Sequence, residues 1–125
     1  MSTLTETRTT QEVANRLIEL CLKGQILEAQ EELFADDAVA IEPTGDNPVT
    51  KGKEAIVEKS KVFAAMFEAV HSSEITEPIV VGNFFTIGWM FDVTLKGQGR
   101  QKMDEICVYQ VKDGKIVSEQ FFYSM

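Results

Sequence analysis

Several residue types are scarce in this sequence, and each shortage excludes something. Among 125 residues there is one histidine, His71, and there are two cysteines, Cys21 and Cys107. That supply argues against a zinc site, because carboxylates alone rarely hold the metal; no metal or other cofactor is expected. The cysteines lie far apart without metal-type spacing, and the opening MSTLTETRTTQE is polar, with no apolar export segment. Free thiols are therefore expected rather than a disulfide. Basic residues are outnumbered: 12 Lys and Arg face 20 Asp and Glu, a formal net charge of −8. That balance repels phosphate backbones and anionic lipid, and no basic cluster overrides it. Neither nucleic acid nor membrane is an expected partner. No apolar run approaches the length of a membrane span, so a cytoplasmic location is the expectation.

What the chain does have is enough apolar material for one core. Its apolar fraction is 44%, which suits a globular interior, and its length suits one domain over residues 1–125. Residues 1–9 read as a flexible tail. Thr9 and Glu12 have the spacing of a capping box. Val13, Leu17, Leu20 and Cys21 then recur at helical spacing up to the stop at Gly24. A short second helix uses Ile26, Ala29, Leu33 and Phe34. Residues 38–42 form a brief strand, and 43–52 (PTGDNPVTKG) read as a loop. Ile56, Ser60, Phe63, Phe67 and Val70 predict a third helix with one inner face.

After His71 the apolar period changes from 3.6 to 2. Strand signals cover 71–80, 84–95, 101–111 and 115–123, separated by Gly82-Asn83, KGQG at 96–99, and Asp113-Gly114. The Asp-Gly pair favours a tight hairpin. Helices first and an antiparallel meander afterwards predict an α+β domain with helices on one face of the sheet. In strand 84–95 the odd positions Phe85, Ile87, Trp89, Phe91, Val93 and Leu95 form one apolar face. The opposite face is mixed but carries Phe84 and Met90. That leftover hydrophobicity predicts a homodimer through the outer sheet face.

The element order, with RLIEL in the first helix, FADDAVAIEP followed by KGKEAI, and the closing DGKIVSEQFFY, resembles the nuclear transport factor 2-like superfamily. The likeness runs from about Glu12 to Tyr123 and points to the SnoaL-like and ketosteroid isomerase-like branch. It implies a cone-shaped, curved, mixed but mostly antiparallel sheet with three N-terminal helices packed on its concave face, a cystatin-like roll. It also implies that the cone holds a small apolar molecule. By this resemblance Ile87, Trp89, Phe91, Val93, Leu17 and Cys21 line the cone. Phe63, His71, Cys107, Phe121 and Tyr123 are expected to complete its wall.

In the isomerases a carboxylate base stands just before a proline after a strand like 38–42, and here Glu42 precedes Pro43. Their two oxyanion donors, a tyrosine and an aspartic acid, correspond to Leu17 and Cys107, neither of which can play that part. Counting by twos puts Glu105 and Met103 on the face of Cys107, with Tyr109 beyond it, and puts Glu119 with Phe121 and Tyr123 on a face that the resemblance aims into the cone. Three carboxyls in a low dielectric repel one another, which raises the pKa of at least one and leaves a proton to donate. Glu42, Glu105 and Glu119 are thus the candidate catalytic residues, with Glu42 as base. The residues also allow blander readings. Glu42 can be a solvated strand end, and Glu105 and Glu119 can pair with Lys102 and Lys115. Cys107 can be a small core residue and His71 a strand-end residue. Proton transfer of an isomerase, cyclase or dehydratase type therefore stands beside non-catalytic ligand binding and beside a dimeric interaction module.

Overall fold

A computed structural model describes residues 7–124. The proposed tail at 1–9 lies mostly outside the described residues. Thr9 begins helix α1 (Thr10–Leu22): its hydroxyl accepts from the Glu12 N–H at 3.1 Å, and the Glu12 carboxylate accepts from the Thr9 N–H at 2.8 Å. Both bonds of the capping box are present. Replacing Thr9 with Ala should cost about 1 kcal/mol, read as a melting temperature lower by a few degrees. An unchanged melting curve would show that the cap contributes nothing.

Helix α2 (Ile26–Leu33) leads directly into strand β1 (Phe34–Ile41). A loop and the short β2 (Val49–Lys51) lead to α3 (Lys53–Ala64). Gly52 makes that entry: at φ 95° it adopts a conformation that a side chain would strain, and its N–H bonds the Ala38 carbonyl at 2.7 Å. Strands β3 (Phe67–Ile75), β4 (Ile79–Val81), β5 (Phe84–Leu95), β6 (Gly99–Lys112) and β7 (Lys115–Phe122) complete the chain. The sheet order is β2-β1-β7-β6-β5-β3, with β4 also on β5. Strand β1 runs parallel to β7, while the other described pairs are antiparallel. Register shifts in the β1–β7, β3–β5 and β6–β7 pairs let the sheet bend. The sheet is curved and does not close, and the helices cover one face of it.

Strand β5 confirms the expected alternation. Phe85, Ile87, Trp89, Val93 and Leu95 are buried, and Phe91 is half-buried. Phe85, Ile87 and Trp89 form one cluster with Val13, Leu17 and Cys21 of α1, Leu33 of α2, and Tyr109 and Ile116 of the last hairpin, and Phe91 packs against it. The turn of that hairpin holds Asp113 at φ 52° and Gly114 at φ 75°, with Lys112 opposite Lys115. Two positive angles in a two-residue loop match the strand twist, as the Asp-Gly signal predicted.

Several boundaries differ from the expectation: β1 already begins at Phe34, which was expected in the second helix, and the strand signal at 71–80 is divided between β3 and β4. The third helix stops at Ala64, so Phe67 and Val70 belong to β3 and not to a helical face. Pairing with β5 from Phe67 onward provides a ladder of hydrogen bonds that a longer helix would forgo. Tertiary pairing overrides a helical spacing that was locally possible. Within the expected loop 43–52, Val49–Lys51 pairs with β1 as a short edge strand.

Candidate functional site

The register of the sheet places the interior side chains in successive rows. Phe85, Tyr109, Glu119 and Ala40 are neighbours across β5, β6, β7 and β1. The next row contains Ile87, Cys107 and Phe121, and Trp89 stands opposite Glu105 in the row after it. Strand β6 also shows the depth of the site. Met103 and Glu105 are half-buried, whereas Cys107, Tyr109 and Val111 on the same face are buried. The face therefore closes from its Met103 end toward Tyr109.

Glu42 lies immediately after β1, half-buried. Its N–H bonds the Pro48 carbonyl at 2.7 Å, which fixes the chain at the strand end. The Tyr123 hydroxyl donates to its carboxylate Oε2 at 2.8 Å. Parallel pairing of β1 with β7 creates this contact between residues 81 positions apart. Burial, and then the bond to Glu42, push the Tyr123 hydroxyl pKa up, so it remains a donor.

Glu105 and Glu119 are set deeper. Burial pushes the Glu105 carboxyl up to about 7, a thiol bond from Cys107 at 3.5 Å opposes this, and repulsion from Glu42 adds to it. Glu119 is only 6% exposed. Burial pushes it up to about 8; a hydrogen bond from Tyr109 opposes the rise, and Glu105 and Glu42 add repulsion. No cation figures among the charges acting on either group. At neutral pH Glu119 is mostly the neutral acid, and Glu105 divides between its two forms. Glu42 thus acts on both deeper carboxyls, and of those two Glu119 is the more buried and the more strongly raised.

Cys21 and Cys107 are buried free thiols. Burial pushes Cys21 up to about 12 and raises Cys107 as well, so both stay protonated and neither is a ready nucleophile. Leu17, Cys21, Ile87, Trp89 and Cys107 belong to the buried cluster, with Phe91 and Phe121 packed against it. Trp89 stacks on Phe91 at 4.6 Å, and its indole N–H donates to the Ser73 hydroxyl at 2.8 Å.

His71 is not in this interior. It is exposed, and its Nε2 lies 2.7 Å from the hydroxyl of Thr94, on the opposite face of β5. Strand β3 begins before His71 and shifts register between Val70 and Ser72. Ser73, two residues later, therefore stands opposite Phe91. Phe63 is 42% exposed at the end of α3, edge-on to Phe67 at 4.9 Å and outside the buried cluster. The alternative in which Glu105 and Glu119 pair with Lys102 and Lys115 is not seen among the described residues; Lys115 donates to the Glu32 carbonyl at 2.7 Å. Tyr109, which the period of 2 places on the face of Glu105 and Cys107, was not among the candidate site residues; the structure buries it beside Glu119.

Two grooves of about 520 and 510 Å³ lie along α3, one bounded by α2 and β1 and the other by β1 and the end of β2. Their walls include Asp36, Glu54 and Glu58, and none of the interior carboxyls. Among the described residues no three His, Cys, Asp or Glu side chains converge as metal ligands, and no helix is long and apolar enough to cross a membrane.

The SnoaL-like domain model matches residues 8–123, nearly the full chain. The chain belongs to the SnoaL-like domain family. A solved relative from Mesorhizobium loti, provisionally described as a SnoaL-like polyketide cyclase, is 39% identical to this SnoaL-like chain. It covers 93% of this chain and 100% of its own, with a TM-score of 0.86. A protein of Catenulispora acidiphila with a ketosteroid isomerase-like fold, solved with trimethylamine, is 24% identical; 94% of this chain and 88% of that one align, with a TM-score of 0.74. A cystatin-like protein of unknown function from Xanthomonas campestris shares 16% identity over 94% of this chain and 92% of its own, with a TM-score of 0.80. At those lower identities the likeness is one of fold. No curated protein matches the chain.

Proposed function

We propose that this SnoaL-like protein catalyses proton transfer on a small, largely apolar molecule, with Glu42 as base and Glu105 or Glu119 as acid. The observation that carries this reading is the division of labour among carboxyls on one face. A rim carboxylate is held by Tyr123 at 2.8 Å, while two deeper carboxyls are pushed up to about 7 and about 8. Glu42 removes a proton from carbon next to a carbonyl, and the electron pair moves onto the carbonyl oxygen. The neutral acid donates a hydrogen bond to the charge that forms there. Glu42 then returns the proton to a different carbon, so the net reaction needs no cofactor. Aromatic walls (Trp89, Phe91, Phe121) suit a substrate without charge.

Hydrogen–deuterium exchange at the α-carbon of apolar cyclic ketones, followed by NMR, tests this. Wild type should exchange them faster than buffer, and Glu42→Gln should slow exchange by about 10²-fold or more. Binding, measured separately, should survive that substitution. The rate should also fall as pH rises through about 7 to 8, where Glu105 and Glu119 lose their protons. Equal exchange by wild type and Glu42→Gln would remove Glu42 from the role of base.

One observation favours a second reading, binding without turnover. At the two positions where the isomerases hold oxyanion donors, this chain has Leu17, an apolar residue, and Cys107, whose thiol stays protonated and donates weakly. Tight binding of such ketones with no exchange in wild type would select it.

We also infer a homodimer through the outer sheet face, on which Phe84, Ile106, Phe122, Ile79 and Val81 are 46–71% exposed. Apolar side chains of that size in one region of a sheet are stabilised by a covering partner.

A further inference from the structure

We propose that Tyr109 is a positioning residue for the deep acid: its hydroxyl, held in place by the Phe85 stack, fixes the Glu119 carboxyl on the interior face that also carries Glu105. The proposal rests on the reading of Glu119 as an acid of the site. Tyr109 and Glu119 are direct cross-strand partners of β6 and β7, and such partners project side by side from the same face. Tyr109 is 1% exposed, and its ring lies on that of Phe85 at 4.7 Å and 15°, which leaves the hydroxyl little freedom to turn away. A tyrosine in a dry core usually finds a partner for its hydroxyl, and the Glu119 carboxyl, projecting beside it from the same face of the next strand, is the acceptor that the pairing offers.

The other titratable groups acting on this pair come from every side of the interior. Cys21 belongs to α1, Glu42 follows β1, and Glu105 and Cys107 belong to β6. All of them bring either negative charge or a thiol that resists ionising, so none stabilises a Glu119 anion. The Tyr109 hydroxyl, beside Glu119 on the same face, is the group that can do so, and its effect on the Glu119 pKa is opposite to that of burial. Tyr109 thereby draws the proton affinity of Glu119 down toward that of Glu105, and a proton held by either is of similar strength as an acid. Without the hydroxyl, Glu119 becomes a weaker acid and loses its fixed orientation.

Site-resolved ¹³C carboxyl titration of the full chain, without any substrate, tests this in wild type and Tyr109→Phe. The Glu119 midpoint should move upward in the variant by about half a pH unit or more, the scale of one lost neutral hydrogen bond. The Glu105 midpoint should move far less. An unmoved Glu119 midpoint in a folded variant would overturn the proposal and reduce Tyr109 to a core residue. A second measurement does not need the variant to fold. The ¹³Cζ signal of Tyr109 in the native chain should report a titration at about 8, where Glu119 ionises, and should be flat in Glu119→Gln. A flat signal in the native chain would overturn the contact directly. Failure of ketone exchange leaves both titrations readable, so the two readings fail separately.

Discussion

Raising the pH from about 5 to about 8.5 is expected to lower the melting temperature, and most of that loss should vanish in Glu119→Gln. In the folded chain Glu119 is pushed from 4.5 up to about 8, and Glu105 from 4.5 up to about 7. Above about 4.5 the unfolded chain releases these protons while the folded chain keeps them. Folding then becomes less favourable with each step in pH, because the unfolded state binds fewer protons. The loss runs until pH passes the folded values near 7 and 8, and it levels off beyond them. Each pH unit of difference is worth about 1.4 kcal/mol per group, so several kcal/mol are at stake even after allowing for coupling between the two. Groups shifted the other way act in a different window. Glu19, Glu32 and Asp92 are held below their ordinary values, mainly by hydrogen bonds from Arg16, Arg16 and Arg100. Their contribution is present above the unfolded carboxylate range and fades as pH falls below it. Stability should therefore peak near pH 5. Glu119→Gln keeps the shape and the Tyr109 contact while removing the titration. Melting curves across that range decide the matter: a wild type whose melting temperature is level or rising between about 5 and 8.5 refutes the buried acids.

The second large effect separates two adjacent residues. Phe85→Asp should abolish cooperative folding, and Phe84→Asp should leave it nearly intact. Phe85 is 1% exposed and stacked on Tyr109 at 4.7 Å, whereas Phe84 is 46% exposed on the outer face. An unpaired carboxyl in the core costs several kcal/mol or must stay neutral, on top of the lost aromatic packing. That is comparable with the whole stability of a domain this size. At Phe84 the new carboxylate enters water and costs the monomer about 0.5 kcal/mol or less. It does, however, place a charge in the inferred dimer face. Light scattering should then give a dimer mass for wild type and a monomer mass for Phe84→Asp at micromolar concentration. A wild-type monomer would remove the dimer, and equal melting of the two variants would overturn the assignment of faces.

These two neighbours also show what the sequence determined by itself. The side chains of a strand alternate, so the apolar odd positions from Phe85 to Leu95 decided which face of β5 is buried. The Thr9–Glu12 spacing determined the start of α1, and Asp113-Gly114 the last turn. Such features depend on residues a few positions apart, and local sterics and hydrogen bonding suffice to read them. The period of 2 likewise put Glu105, Cys107 and Tyr109 on one face, and the family resemblance oriented that face inward.

Other features belong to the tertiary structure. The end of α3 was decided by the pairing of Phe67–Ile75 with β5, since the apolar spacing of Ile56 to Val70 also fits a helix. The side taken by His71 was decided by a register shift in β3, which no pattern of residue types announces. Glu42 meets Tyr123 because β1 and β7 lie parallel, a neighbourhood between residues 81 positions apart. The acids of the site are the clearest case. Glu105 and Glu119 have the intrinsic chemistry of every other glutamate in the chain, and their raised pKa values come from burial and from their neighbours. A proton responds to the dielectric and the charges within a few ångströms, and only the folded chain determines those.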